Sequence, residues 1–243
     1  MEPLVTKRAD VLDVLANICA RLPEINSINT ITMSPAPRAQ RRIESNDRED
    51  RLLDVAVTLR EERRMPFWDA LLLESTRLND GIPQSIIDAA LYHQPAAAER
   101  TVSISVREND WPSRLRRLIA SIDDRDFLAI SSKVDTVDGG AHIPMLDFSL
   151  RGDEPHSLST AMRALERLEA NGVLLSSGRS FHFYSTNLVD GSKLREFLGK
   201  ALLLAPITDG RWIAHQLIEG SCALRISSNS RDMLPYVIES VNH

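Results

Sequence analysis

Apolar residues recur at helical spacing near the N-terminus, where Val11, Val14, Leu15, Ile18 and Leu22 mark one face of RADVLDVLANICARL and Pro23 stops it. From Asn26 to Ser45 the pattern dissolves into small polar residues, with Pro35 and Pro37 followed by Arg38, Arg41 and Arg42, and this predicts a linker. A charged helix is then predicted from about Asp47 to Arg64, with Leu52, Leu53, Val55, Ala56 and Leu59 as its apolar stripe. Pro66 opens the helix FWDALLLESTRL, which ends at Gly81, and Pro83 opens QSIIDAALYHQ. The density of apolar residues rises from Met65. The pattern therefore predicts a helical N-terminal extension over 1–64, with its linker near 26–45, and a main domain over 65–243.

Strand-like alternation begins at TVSISV, 101–106, and returns at FLAISS, 127–132. VDTVDGGAH reads as a turn or hairpin tip, and IPMLDFSL as a strand. A helix, SLSTAMRALERLEANG, leads from there to VLLSSGRSFHFYST, read as one strand interrupted by Gly178. The helices KLREFLGKALLLA and GRWIAHQLIEG follow, then a last strand CALRISS, 222–228, and a tail LPYVIESV. Strands and helices mix throughout this portion, which predicts an α+β fold with a sheet covered by helices.

Composition narrows the setting. With 43% hydrophobic and 26% charged residues the chain is globular rather than disordered. No apolar run approaches the roughly 18 residues of a membrane helix, and the start MEPLVTKRADVLDVL carries acids where a signal peptide is basic and then apolar. A cytoplasmic protein with no membrane partner is expected. Cys19 and Cys222 belong to no zinc-type spacing and read as buried thiols. The net charge of -5 and pI near 5.7 argue against a free-standing, high-affinity DNA binder.

Local charge adds little to that. Between Arg38 and Arg64 eight arginines face seven acids, so the helix there reads as a solvated helix that docks on the core or on another chain, with a phosphate-binding arm as the alternative. Arg114, Arg116 and Arg117, in WPSRLRRLIASI, form a compact basic cluster without interleaved acids. They are a candidate nucleic-acid contact, with an ordinary surface face as the alternative.

The residues with most chemical content lie between 143 and 186. Alternation puts Met145, Asp147 and Ser149 on one face of their strand, with Leu146, Phe148 and Leu150 on the other. A carboxylate so placed can hold a divalent cation, since Mg²⁺ takes oxygen ligands and often one or two carboxylates with substrate phosphates. It can equally be a strand-end acid bonded to a neighbouring loop. On the second strand Ser180, His182 and Tyr184 share a face while Arg179, Phe181 and Phe183 point away. The small residues Ser176, Ser177 and Gly178 allow a phosphate or another backbone to come close. His215 and Glu219, four apart on a predicted helix, could supply further metal ligands or simply form part of a surface helix.

Read together, MLDFSL, SGRSFHFY and HQLIEGSCALRISSNS resemble the motifs of the archaeo-eukaryotic primase superfamily of primase-polymerases, in order and spacing, over about residues 120–235. The resemblance implies an RRM-like mixed sheet of the primase-polymerase core. It implies that Asp147 binds Mg²⁺ or Mn²⁺, that His182 contacts nucleotide phosphates, and that Arg225 supports the same phosphates beside Ser177, Gly178, Arg179 and Ser180. The sequence departs from the family pattern at Ser149, where a second acid is usual, at Ser180 in place of a glycine, and at the third motif, where the acidic position falls on His215 or its neighbourhood. One acid remains where the active family has three, and two-metal nucleotidyl transfer relies on shared carboxylates. The chain is most similar to the divergent bacterial branch described as primase-like with one aspartate, whose members tend to lie in mobile-element or defence loci.

Three functions are compatible with these residues. The first is a relative that binds a nucleotide or a nucleic-acid end with reduced or lost polymerase activity, acting with a protein partner or by self-association through the N-terminal helices. The second is an active metal-dependent nucleotidyltransferase of primase or polymerase type. The third is an α+β interaction domain unrelated to nucleotides, which requires Asp147 and His182 to lie on different faces of the sheet.

Overall fold

A computed structural model describes residues 9–34, 47–63, 65–79, 81–93, 100–123, 125–227 and 234–242. The chain divides into two compact units, Met1–Ser34 with Ala96–His243, and Pro35–Pro95. Residues 65–93 therefore belong to a different unit from the 100–242 portion with which the sequence pattern groups them. The smaller unit is helical: α2 (Asp47–Glu62), α3 (Phe67–Ser75) and α4 (Gln84–Leu91) bury Leu52, Leu53, Ala56, Leu71 and Ile86 in a core of their own. Apolar faces of all three helices meet in that core, which makes these residues a compact unit of their own.

The larger unit begins with α1 (Val11–Arg21), closed at its start by a reciprocal capping box between Asp10 and Asp13. Its apolar face, Val11, Leu12, Val14, Leu15 and Ile18, is buried. The next segment corrects the sequence reading: residues 25–33 form a strand, β1 (Ile25–Met33), and not the first part of a linker. Asn and Ser are poor strand formers alone, but β1 is central, paired on one side with β2 (Thr101–Ser105) and on the other with β3 (Phe127–Thr136), so its backbone groups are bonded on both edges. The remaining linker residues, 35–45, with Pro35, Pro37, Arg38, Arg41 and Arg42, lie outside the described residues.

The first sheet runs β2-β1-β3-β4, with β4 (Gly139–His142) closing a hairpin on β3 and β8 (Ala223–Arg225) also paired with β3. The second runs β5-β7-β6-β9 and is antiparallel at every joint. In it β5 (Met145–Asp147) leads through α6 (Ser157–Arg167) to β6 (Gly172–Ser176), and β7 (Phe181–Ser185) returns between them. This is a split βαβ unit, in which the crossover leaves room for a strand between its two parallel members. The run VLLSSGRSFHFYST is thus two strands and not one, because Gly178 sits at φ +95°, a left-handed conformation that turns the chain where most other residues would be strained. The C-terminal residues, read as a tail, form β9 (Tyr236–Val241) on the far side of β6. Packed around the two sheets are α5 (Trp111–Ala120), α6, α7 (Gly191–Leu202) and α8 (Gly210–Glu219), which with α1 make this an α+β fold.

Candidate functional site

Position on the second sheet brings the first two site residues together. In the β5/β7 ladder Asp147 is the direct partner of His182, Leu146 of Phe183 and Met145 of Tyr184. Directly opposed residues share a face, so Met145, Asp147, His182 and Tyr184 stand on one side, with Val173 and Leu175 of β6 beside them. Leu146, Phe183 and Leu174, all with no exposure, occupy the other side. The arrangement the third function requires, Asp147 and His182 on opposite faces, is not what the ladder builds.

His182 Nε2 lies 3.8 Å from Asp147 Oδ1, beyond hydrogen-bond distance. Burial pushes the His182 imidazole down to about 3, and the nearby Arg225 guanidinium pushes it the same way. It is therefore neutral, and the contact is not an ion pair. Asp147 keeps 25% side-chain exposure, but protein atoms crowd its carboxyl closely enough for burial to raise it to about 8. The charge of Asp209 adds to the rise, while a hydrogen bond from the Phe148 N–H and the charge of Arg225 oppose it.

Asp209 is the residue the sequence reading misses. The segment 207–209 runs along the open edge of β5: Ser149 N–H donates to Ile207 O at 3.0 Å, Phe148 bridges to Thr208, and Asp209 N–H donates to Asp147 O at 3.0 Å. Asp209 also caps α8, its Oδ1 accepting the Trp212 N–H at 2.8 Å. In the sequence it is simply a residue of the kind that starts helices. Only the pairing of its backbone with β5 brings it beside Asp147. Ser149 itself is exposed, past the end of β5.

Arg225 enters from the other sheet, at the end of β8. Its Nη2 donates to Ser177 O at 3.2 Å and its Nη1 to Ser227 O, which ties it to the tip of the β6/β7 hairpin. That tip is self-bonded: Ser177 N–H donates to Ser180 O at 2.9 Å, Gly178 N–H to Ser176 Oγ at 3.3 Å, and Ser180 Oγ to Phe148 O. The Ser177 and Gly178 N–H groups are thus used within the protein. Arg179 contributes its carbonyl to the Gly152 N–H at 3.0 Å.

The other candidates fall elsewhere. His215 is half-buried and Glu219 exposed on α8. Among the described residues no three His, Cys, Asp or Glu side chains form a group able to hold a metal ion. The basic cluster of α5 is paired with acids from outside its own run. Arg116 meets Asp10 at 3.1 Å and Asp13 at 3.4 Å, Arg114 meets Glu108 at 3.5 Å, and Arg117 meets Asp110 at 3.4 Å. Exposed pairs of this kind are worth about 0–1 kcal/mol each, but they neutralise the patch. Arg114 and Arg117 also line a groove of about 330 Å³ with Val102, Ile104, Leu118 and Ser121, which shares no residue with the Asp147 surface.

A family model described as AEP-like, archaeo-eukaryotic primase 1D-like, matches residues 110–238, a span that runs from the start of α5 into β9 and includes Asp147, His182, Asp209 and Arg225. No curated protein and no solved structure matches the chain. No described helix is long and apolar enough to cross a membrane.

Proposed function

The chain belongs to the archaeo-eukaryotic primase-like family, and from that premise we propose that it binds a nucleotide, or the phosphate-bearing end of a nucleic acid, on the surface shared by Asp147 and His182. The observation that carries this reading is the pairing of a buried neutral histidine with a crowded carboxyl on adjacent strands, with the Arg225 cation acting on both. Arg225 supplies the positive charge a phosphate needs, and its anchoring to Ser177 O fixes where that charge stands. His182, being uncharged, contributes a hydrogen bond without adding a second buried charge.

Asp147 and Asp209 fit a divalent cation chemically. Both are hard oxygen donors, Asp209 has one carboxylate oxygen beyond its capping bond, and Mg²⁺ or Mn²⁺ commonly completes its shell with waters and substrate phosphates. When bound, such an ion neutralises phosphate charge and polarises phosphoryl oxygens. The crowding that keeps Asp147 protonated is what a cation would relieve.

Two carboxylates without a third ligand among the described residues support binding ahead of polymerisation, in the company of a protein partner or a second copy joined through the N-terminal helices, in the mobile-element or defence setting the resemblance implies. A second reading, metal-dependent nucleotidyl transfer, is favoured by Asp209, which restores a second acid beside Asp147. Calorimetric titration of ATP with Mn²⁺ into wild type, Asp147→Ala and His182→Ala tests the first reading. Binding lost in both variants is expected, and a protein indifferent to every phosphate-bearing ligand overturns it. Incorporation of labelled nucleotide that disappears in Asp147→Ala and Asp209→Ala would establish the second.

A further inference from the structure

Two buried polar atoms on this surface have no hydrogen-bond partner: His182 Nδ1 and Tyr184 Oη. Both residues are at least nine-tenths buried, His182 at 5% and Tyr184 at 0% exposure. Alternation along β7 sets them on the same face, one residue apart in the row. The cross-strand neighbours of Tyr184 are Met145 and Val173, neither of which offers its phenol a side-chain donor or acceptor.

A buried hydroxyl without a partner is destabilising, and replacing it by an apolar group of the same shape is close to neutral or stabilising. Packing alone does not explain it. Phe181 and Phe183, on the same strand, fill their space as phenylalanines. A tyrosine in the next aromatic position keeps a polar atom in the core at a cost in stability, and buried orphan groups in native folds call for a specific explanation. Its position supplies one. Asp147, at 25% side-chain exposure, marks where the face opens to solvent. His182 stands opposite it, and Tyr184 is the next side chain inward. The Arg225 guanidinium acts electrostatically on all three, so the orphan atoms lie in the field of a positive charge.

We propose that Tyr184 is a ligand contact of this site: its Oη donates to a phosphate oxygen of the bound nucleotide or nucleic-acid end, next to His182 Nδ1–H. This rests on the reading that the surface binds a phosphate-bearing ligand, and it adds a residue to that site and a chemical preference. The pocket discriminates by phosphate rather than by base, because the two orphan donors and Arg225 all suit an oxyanion.

Tyr184→Phe tests this, because the variant keeps the ring and removes only the hydroxyl. The apo variant melts at the same temperature as wild type or higher, while its affinity for ATP with Mn²⁺, and for a 5′-phosphorylated single-stranded oligonucleotide, falls about tenfold, the loss expected for one hydrogen bond to a charged acceptor. Binding of adenosine, which has no phosphate, stays unchanged. A variant that binds both phosphate-bearing probes as tightly as wild type overturns the proposal and leaves the site reading intact. Wild-type protein that binds neither probe overturns the site reading, and this inference with it. The combination of unchanged or raised stability with weakened binding separates a ligand contact from a packing residue, whose loss would lower the melting temperature and affect adenosine and ATP alike.

Discussion

Asp147 and His182 face each other directly across β5 and β7, with Nε2 3.8 Å from Oδ1, and burial holds both near neutrality at pH 7. A carboxyl raised to about 8 opposite an imidazole lowered to about 3 is an unusual pair, since an acid and a base so close would ordinarily exchange a proton and form an ion pair. Desolvation works against both charged forms, and Arg225 disfavours the imidazolium further.

The raised Asp147 carboxyl sets a pH dependence. Its neutral form is favoured by folding, so its contribution to stability is complete below pH 4, the ordinary carboxylate range, and is lost as pH rises through about 8. Asp147→Asn, which cannot ionise, is expected to remove that decline. Denaturant melts of both proteins from pH 4 to pH 9 should converge at the acid end and separate progressively up to about pH 8, with the asparagine variant the more stable there. Affinity for ATP with Mn²⁺ should rise with pH up to about 8 in wild type, because the ion must displace the Asp147 proton.

His182 behaves in the opposite sense. Its folded-state value lies below the ordinary 6.5, so its contribution is complete above that pH and is lost as pH falls toward about 3. In NMR titrations the His182 ring signals should hold still between pH 8 and pH 5, where an exposed histidine moves. A signal that titrates near 6.5 would show that the imidazole is hydrated, and the neutral-pair description would fail.

Gly172 is held to glycine by contact. A Cβ there would fall 2.1 Å from the Tyr184 carbonyl oxygen and 2.7 Å from the Phe183 ring, in the strand next to the site. Gly172→Ala must push β6 away from β7, and a loss of about 3 kcal/mol is expected from overpacking on this scale. Chemical denaturation measures it, and a variant as stable as wild type would show that the two strands are looser than this contact requires.

Arg225→Lys preserves the charge but not the fork that reaches Ser177 O and Ser227 O together. Weaker ATP binding is expected with only a small change in melting temperature, since the site loses the fixed position of its cation rather than the cation. An unchanged affinity would mean that charge alone suffices.

Both cysteines, Cys19 and Cys222, are free and buried, and burial pushes each thiol up to about 12. A thiol-specific reagent at pH 8 should label neither in the folded protein and both in denaturant. Rapid labelling of either one without denaturant would show local opening of α1 or of the segment leading into β8.

Much of the fold was readable in the chain because it depends on local pattern. Seven helices of the eight described begin or end close to a proline, glycine or capping residue, and the apolar spacing of α1, α6 and α8 marks the faces they bury. The Asp147 and His182 strands were readable for the same reason, since alternation of side chains says which residues share a face. β1 was not, because INSINTITM has the composition of a linker and becomes a strand only between two partners. The hairpin within VLLSSGRSFHFYST was concealed by a run of small residues that looks continuous until Gly178 takes a positive φ.

The amino-acid sequence by itself determined an α+β protein with primase-like motifs, one acid and one histidine each on a defined face of its own strand, and an arginine strand downstream. Tertiary structure alone decided which residues complete that surface. Asp209 reaches Asp147 because a loop after α7 pairs with the edge of β5, Arg225 acts on Asp147 and His182 from a different sheet, and Arg116 of α5 finds Asp10 and Asp13 at the start of α1. The physical reason is that a strand's own periodicity fixes the direction of its side chains, whereas the charge environment of a carboxyl or an imidazole is summed over neighbours that sequence distance does not predict. His215 and Glu219 share a helical face by spacing, yet Asp209, which shares no motif spacing with Asp147, is the acid whose charge Asp147 feels.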